Sequence, residues 1–270
     1  MDTEPDRWTL PDWPRTLEWV QTRNSQGIRC IIDVLGEYAM TKEAVDSAMA
    51  AYLECVMQIH QNKLKASISV KPSALGSMFD EDLCLRTATD LAKEALCQDV
   101  GFEIDMEVKQ TVDLTIKLGK ACAAAGVPVT MALQAYMRRT LDDLDELSNH
   151  ENIRFRLVKG AYAGDSSDVQ VIGEIYQLLV QALTFLAKPY CVATHDPEIL
   201  DWMKFSGIID TTKTEFSFLK GLADRTKLAF AENHLLVSEY VPFGKESGPY
   251  VARRMKYLHD LEQRNKKPAP

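Results

Sequence analysis

The chain of 270 residues lacks several features that would assign it to a common functional class. No apolar run approaches the roughly 20 residues that a membrane-spanning helix needs. No basic face of the kind that binds nucleic acid stands out, and the net charge is -8. Neither a G-x-G-x-x-G turn nor a Walker A motif occurs, so a dinucleotide cofactor, if bound, is not held by a Rossmann turn. The G-x-S-x-G and H-E-x-x-H motifs are also absent.

Cysteine is sparse, with six residues and no pair at C-x-x-C spacing. The cysteines are Cys30, Cys55, Cys84, Cys97, Cys122 and Cys191. We expect them to be small buried hydrophobic side chains in a reducing compartment, and we expect no metal site.

The acidic N-terminus, MDTEPDRWTL, lacks the basic and then apolar order of a secretory signal and the Arg- and Ser-rich character of a transit peptide. We therefore expect a cytoplasmic protein.

The chain does contain one pattern that recurs eight times, a short β-branched run followed by a longer helical pattern. Such units predict a closed parallel (βα)8 barrel of the TIM type, with an open doubly wound sheet as the alternative. The predicted strands are 29–34, 66–70, 100–105, 127–133, 153–159, 190–194, 213–218 and 234–241. The predicted helices are 41–63, 80–97, 108–125, 137–148, 168–187, 197–206, 219–232 and 249–262.

The domain organisation follows from the absence of any linker rich in Pro, Gly or Ser. We expect one barrel domain over residues 28–265. We expect residues 1–27 to form an N-terminal extension, with an extra helix that packs against the barrel.

Polar residues accumulate at the ends of the predicted strands. In parallel barrels the active site lies at this C-terminal mouth. We therefore expect these side chains to surround a common site. In chain order they are Glu37, Lys71, Asp105, Glu107, Gln134, Arg156, Lys159, Thr194, His195, Asp196, Glu215 and Tyr240. For Asp105, Glu107 and His195 the alternative is a structural role at the start of a helix.

The segment RLVKGAY, residues 156–162, is the most informative in the chain. An apolar strand ends there beside two cations, Arg156 and Lys159. Gly160 and Ala161 follow as a turn of small residues, which lets a flat ligand approach the backbone. The pattern indicates a floor for a planar, electron-accepting cofactor. The alternative is a strand that reaches the surface beside a solvated Arg and Lys.

The last predicted helix carries a second pattern. Tyr250, Arg253, Arg254 and Tyr257 follow one another at spacings that place them on one face. Two adjacent arginines favour a carboxylate clamp, because guanidinium matches carboxylate in a bidentate fork. Lys71, at the end of the second strand, would add a third cation. The alternatives are a solvated basic face and a surface lysine at a turn.

Eight segments together resemble the flavin-dependent proline dehydrogenase family in its monofunctional form. The match runs in order from residue 28 to residue 257, and RLVKGAY and the Tyr…Arg-Arg segment are its most specific parts. The segments are DVLGEYA (33–39), SVKPSALG (69–76), DME (105–107), LQAYMRRT (133–140), RLVKGAY (156–162), ATHDPEIL (193–200), EFSFLKG (215–221) and YVPFGKESGPYVARRM (240–255).

The resemblance implies a distorted (βα)8 barrel that binds FAD non-covalently at the strand ends. It implies oxidation of L-proline to Δ1-pyrroline-5-carboxylate by hydride transfer to the flavin N5, the first step of proline catabolism. Electrons would pass to a quinone-type acceptor, with at most peripheral contact at the inner face of the membrane. A pyrroline-5-carboxylate dehydrogenase would take the product.

Site residues are also implied by the resemblance. Arg156 would reach the flavin N5, and Glu37 would close the site by pairing with an active-site arginine. The residues that would hold proline are Lys71, Asp105, Leu219, Tyr240, Tyr250, Arg253 and Arg254. The residues that would contact FAD are Gln134, Arg156, Val158, Lys159, Gly160, Ala161, Thr194, His195 and Asp196.

The sequence departs from the family pattern at four places. Tyr257 stands where a Glu is usual, Ser217 replaces a Gln, and Ser247 and Gly248 replace an aromatic. The stretch after Tyr162 is also shorter, so we expect FAD to bind more weakly or in a different arrangement. Two alternatives stay open: a flavin enzyme for another cyclic or secondary amino acid, and a catalytically degenerate barrel with a binding role.

Overall fold

In the computed structural model, which describes residues 7–162, 164–186 and 188–265, eight parallel strands close into a barrel in chain order. The last strand pairs with the first, with Ser238 opposite Arg29. The barrel prediction is confirmed, and the open sheet is excluded. The strands are β1 Arg29–Val34, β2 Ala66–Val70, β3 Gly101–Ile104, β4 Val129–Gln134, β5 Ile153–Val158, β6 Tyr190–Ala193, β7 Thr214–Leu219 and β8 Leu236–Phe243.

A helix follows each strand along the chain, and one helix precedes β1. The last helix contributes to the C-terminal mouth of the barrel. Within the described residues no helix is long and apolar enough to cross a lipid bilayer. The helices are α1 Trp13–Ser25, α2 Lys42–Gln61, α3 Glu81–Cys97, α4 Val112–Ala124, α5 Thr140–Ser148, α6 Val169–Thr184, α7 Pro197–Ser206, α8 Asp224–Glu232 and α9 Gly248–Asn265.

The boundaries of these helices have local causes. Asp80 begins α3, where its carboxylate accepts a hydrogen bond from the Leu83 amide at 2.9 Å. Gly207 ends α7 in the left-handed conformation, with φ +66°. The prediction that a helix begins at residue 219 was wrong, because Leu219 still belongs to β7 and Ala223 has φ +54°. The helix α8 therefore starts only at Asp224.

Helix α1 packs against the outer side of β8. The Trp19 indole donates to Glu239 at 2.6 Å, and Arg23 pairs with the same carboxylate at 3.1 Å. Arg23 also reaches Asp224 of α8 at 2.7 Å. The buried Glu239 carboxylate thereby joins α1 and α8 to the barrel wall.

Five of the six cysteines are buried, as expected, but Cys97 at the end of α3 is exposed. All six are free thiols. Burial raises the pKa of Cys84 to about 12 and that of Cys122 to about 11, so both stay protonated thiols at neutral pH. These buried side chains act as small core residues.

The interior of the barrel at the N-terminal ends of the strands holds a charged group that we call the N-terminal cluster: Arg29, Glu103, Arg154 and Glu215. Arg29 donates to Glu103 at 3.0 Å and to Glu215 at 2.7 Å. Arg154 lies 3.6 Å from the other Glu215 oxygen. The prediction that Glu215 lies at the C-terminal mouth was wrong. Glu215 is the second residue of β7 and faces the opposite end of the barrel.

Candidate active site

A cavity of about 180 Å³ lies at the C-terminal mouth of the barrel. All of the predicted substrate residues line it, and all of the predicted cofactor residues do so except Asp196. Asp196 instead pairs with Lys159 and caps α7 by accepting from the Glu198 amide at 2.9 Å. The fold therefore brings to one place side chains from five strands, β4 to β8, from the residues that directly follow β2 and β3, and from α9. The lining set is Lys71, Asp105, Gln134, Arg156, Val158, Lys159, Gly160, Ala161, Thr194, His195, Leu219, Tyr240, Tyr250, Arg253 and Arg254.

Other lining residues were not predicted as site residues. Ala132, Ala193 and Ser217 precede predicted ones by two positions, and alternate residues of a strand share a face. The two-residue period of a strand could therefore have identified these three residues from the sequence. The whole additional set is Met106, Ala132, Ala193, Ser217 and Phe218, and Tyr162, the aromatic residue of the segment RLVKGAY, also lines the cavity as predicted for that segment. Glu107 does not line the cavity, and its carboxylate binds the Ser73 amide at 2.7 Å and the Ser73 hydroxyl at 2.6 Å.

At the base of the cavity lies a hydrogen-bonded group that we call the mouth cluster: Asp33, Lys71, Asp105, Arg156 and Tyr240. The Lys71 ammonium lies 2.5 Å from Asp33 and 3.5 Å from Asp105. Arg156 donates to Asp105 at 2.7 Å, and the Tyr240 hydroxyl donates to the other Asp105 oxygen at 2.5 Å. Asp33 was not predicted as a site residue, and it is a fully buried acid near the end of β1.

The mouth cluster fixes the charges of its members. Burial alone would raise the pKa of Asp105, but the charges of Arg156 and Lys71 lower it to about 2. Burial likewise opposes the charged form of Lys71, but Asp33 raises the pKa of Lys71 well above its usual value. At neutral pH the cavity base therefore presents a charged lysine and an ionised aspartate.

Arg156 lines the cavity from two positions before the end of β5. Its guanidinium stands 5.2 Å from the centre of the Tyr240 ring. Its Nε approaches Glu103 of the N-terminal cluster at 3.3 Å without forming a hydrogen bond. Arg156 thus connects the two charged ends of the barrel interior.

The imidazole of His195 is neutral in this environment. Burial, together with the charges of Lys227 and Arg254, lowers the pKa of His195 to about 3. Its Nε2 accepts a hydrogen bond from the Leu219 amide at 2.9 Å. The ring proton must therefore sit on Nδ1, so His195 can offer a hydrogen-bond donor there.

The two arginines of α9 have different surroundings. Arg253 forms a bidentate pair with Glu37, with one contact at 3.0 Å, and lies 5.0 Å from the centre of the Tyr162 ring. Arg254 stands over the Tyr250 ring at 5.1 Å. Its Nε is buried without a hydrogen-bond partner, and no carboxylate of the described residues pairs with it. Of these two arginines, Arg254 is thus the one that is available for an anion.

Two of the residues that depart from the family pattern are Ser217 and Tyr257. Ser217 lines the cavity. The side chain of Tyr257 lies outside the described residues. Over the described ranges, no group of three or more His, Cys, Asp or Glu side chains is arranged to hold a metal ion.

Comparisons with known proteins bear on the family and the fold of this chain. The model of the family described as proline dehydrogenase matches residues 16–171, more than half of the chain. Proline dehydrogenase 2 of Bacillus subtilis (strain 168) is 28% identical over 254 residues, covering 90% of this chain and 82% of its own length. Proline dehydrogenase of Deinococcus radiodurans is 28% identical over 254 residues, covering 88% of this chain and 81% of its own length.

Among solved structures, proline utilization A (PutA) from Bdellovibrio bacteriovorus, inactivated by N-propargylglycine, matches with a TM-score of 0.83 over 92% of this chain. The identity is 17%, and the chain spans 32% of the PutA chain, so this likeness shows the fold alone. The family model and the relatives show more, and by them the chain belongs to the proline dehydrogenase family.

Proposed function

We propose that the protein oxidises L-proline to Δ1-pyrroline-5-carboxylate, with FAD as the bound hydride acceptor and a quinone-type molecule as the final acceptor. The observation that carries the proposal is the convergence of Lys71, Arg156 and Arg254 on one cavity in a chain of this family. These cations come from three distant stretches of sequence, and only the closed barrel brings them together.

The residues present fit a flavin. Gly160 has φ +132°, a conformation that favours glycine, and it lines the cavity together with Ala161. The buried Nε atom of Arg254 has no hydrogen-bond partner within the described residues, so polar capacity is left for a ligand. The bound flavin would supply the two-electron chemistry, and the protein supplies position and field.

The substrate carboxylate has a suitable partner in Arg254, whose guanidinium lacks a carboxylate among the described residues. Arg253 can contribute only if it shares or leaves Glu37. The side chains of Leu219, Tyr240 and Tyr250 offer apolar surface for the pyrrolidine ring. A carboxylate held at one end and a ring held at the other restrict the substrate to one pose, which lowers the entropic part of the barrier.

The electrostatics of the cavity also suit the reaction. The amine of proline must lose a proton before a hydride can leave the adjacent carbon. Cations nearby disfavour the protonated amine, and Lys71 and Arg156 both lie in this cavity. The fixed charge of Arg156 would also stabilise negative charge that develops during the transfer.

The substrate is tested by incubating the purified protein with L-proline, pipecolate or sarcosine and a soluble quinone, and by measuring the products by mass spectrometry. Formation of Δ1-pyrroline-5-carboxylate is expected, at a rate that exceeds that with the other two amines. Turnover of another amine without turnover of proline would select the alternative amino-acid enzyme. The absence of both flavin and turnover would favour the binding role. Oxygen in place of the quinone is expected to support a slower reaction.

A further inference from the structure

The Tyr136 side chain occupies the centre of the loop that follows β5. The backbones of Gly160 and Gly164 press on opposite edges of its ring. A Cβ atom added at Gly160 would lie 1.2 Å from Tyr136 Cε1, and one added at Gly164 would lie 1.7 Å from Cδ2. The Tyr136 amide donates to the Lys159 carbonyl at 3.1 Å, and the Asp165 amide donates to the Tyr136 carbonyl at 3.0 Å. The described part of the loop therefore takes its shape from this ring.

The Tyr136 hydroxyl lies in a hydrogen-bond chain whose direction is fixed at both ends. The Tyr162 amide donates to this hydroxyl at 3.0 Å, because a backbone N–H can only donate. At the other end, Gln134 Nε2 must donate to the Glu107 carbonyl at 2.9 Å. The hydroxyl therefore donates to Gln134 Oε1 at 2.5 Å.

This chain sets the orientation of the Gln134 amide, which lines the cavity. One N–H hydrogen of Gln134 is left with only the Met137 sulfur, at 4.0 Å, and one lone pair of Oε1 is left over. A donor and an acceptor in fixed order complement the pyrimidine edge of an isoalloxazine, which carries carbonyl and N–H groups side by side.

We propose that Tyr136 is a positioning residue for the flavin: its ring shapes the loop after β5, and its hydroxyl fixes the Gln134 amide for hydrogen bonding to the cofactor. The inference rests on the proposed function, since it needs a flavin in this cavity. It assigns a role to a residue that is itself outside the lining of the cavity.

The test compares two Tyr→Phe variants, each of which removes one buried hydroxyl and keeps the ring. Tyr136→Phe is expected to raise the Kd of the apoprotein for FAD about tenfold, as expected for the loss of the hydrogen bonds that order the amide and the loop. It is also expected to lower the midpoint potential of the bound flavin. The matched control is Tyr190→Phe, which loses a hydrogen bond from Thr214 at 3.0 Å near the start of β6. It should leave both quantities unchanged.

Three results would separate the possibilities. Equal effects of the two variants on Kd would mean that Tyr136 acts only through general stability, and this would overturn the inference while leaving the proposed function intact. Unchanged Kd and potential in Tyr136→Phe would do the same. A wild-type protein that binds no FAD would remove the proposed function and the inference together.

A double-mutant cycle of Tyr136→Phe with Gln134→Leu provides a second readout, and Gln134→Leu alone, expected to raise the Kd for FAD, tests the role of the amide if Tyr136→Phe folds poorly. Because the two side chains act through one hydrogen bond, their effects on FAD affinity are expected to be less than additive. Strictly additive effects would show independent routes and would contradict the role assigned to the hydroxyl.

Discussion

The two ends of this barrel carry charged side chains on the same strands, yet they are arranged differently. β1 contributes Arg29 to the N-terminal cluster and Asp33 to the mouth cluster, and β5 contributes Arg154 and Arg156 in the same way. No residue of the N-terminal cluster lines the cavity, whereas four of the five members of the mouth cluster do. The interior thus holds one end that is paired internally and one end that is open to a ligand.

The difference lies in how completely the cations are paired. Burial would lower the pKa of Arg29, but Glu215 and Glu103 raise it above its usual value, so this guanidinium is satisfied within the protein. Near the mouth, Arg254 has no carboxylate among the described residues, although it faces the same cavity as Lys71 and Arg156. A charge that the fold does not neutralise indicates where an anionic substrate group binds.

The largest effect should come from breaking the buried pair in the mouth cluster. Asp33→Ala leaves the Lys71 ammonium, which is almost fully buried, with the more distant Asp105 carboxylate at 3.5 Å and the Tyr240 hydroxyl at 3.4 Å. We expect a loss of about 3–5 kcal/mol in the free energy of unfolding, because an uncompensated buried charge is costly. Urea unfolding measures the change.

Glu215→Ala is the matched control at the other end of the barrel. Arg29 keeps Glu103 and is partly exposed, so its loss of stability should be smaller. Equal losses in the two variants would contradict the comparison between the ends.

The second prediction concerns substrate affinity. Arg254→Ala should raise the KM for proline strongly, since the carboxylate loses a charged partner worth about 2–4 kcal/mol. Arg154→Ala, which removes a cation from the N-terminal cluster, should change KM little. Steady-state kinetics of both variants measure these changes in KM. An unchanged KM in Arg254→Ala would remove this arginine from the substrate site.

The third prediction uses pH. The folded-state pKa of His195 is about 3 and the unfolded value is 6.5, so between these values only the unfolded chain binds the proton. Stability should therefore fall on acidification through this window, by up to about 1.4 kcal/mol per pH unit. Asp105 adds to this loss of stability only below about pH 3.8, its usual pKa, because its folded-state pKa is about 2.

The contribution of His195 can be isolated between pH 4.5 and 6.5, values chosen to lie inside the window of its pKa shift. Urea unfolding of His195→Gln in this range should show a shallower dependence on pH than the wild type. The same slope in both proteins would mean that His195 is not held neutral in the folded state.

The smallest effect concerns the pair between Glu37 and Arg253. Because Arg253 is partly exposed, Glu37→Gln should shift KM by only about 1 kcal/mol or less in free energy. The direction reports the role of the pair: a lower KM would mean that Glu37 competes with the substrate for Arg253. A change in KM as large as that caused by Arg254→Ala would mean that Arg253 contributes as much as Arg254 to binding of the substrate carboxylate.

Much of the fold and of the cavity lining could be predicted from the sequence. The alternation of β-branched runs and helical patterns fixed the number of units, and parallel strands present their C-terminal ends at one mouth. Lys71, Gln134 and Tyr240 were placed correctly at the cavity by this rule. Glu215 was not, because an acid near the start of a strand faces the other end of the barrel.

What escaped prediction depends on contacts between distant residues. Asp33 is one acid within RCIIDV, and nothing in that string shows that Lys71 lies beside it. Tyr136 lies in the segment LQAYMRRT, but its position is defined by Gly160 and Gly164. These side chains receive their roles from the three-dimensional packing and not from local sequence spacing.

We propose above that the mouth of the barrel is a flavin site at which proline is oxidised. The most direct test is the visible spectrum of the purified protein, recorded without oxygen as L-proline is added. We expect an oxidised flavin spectrum that bleaches with proline, and bleaching in Arg254→Ala only at much higher proline concentration. A flavin spectrum that proline leaves unchanged while dithionite bleaches it would show that proline is not the substrate of this site.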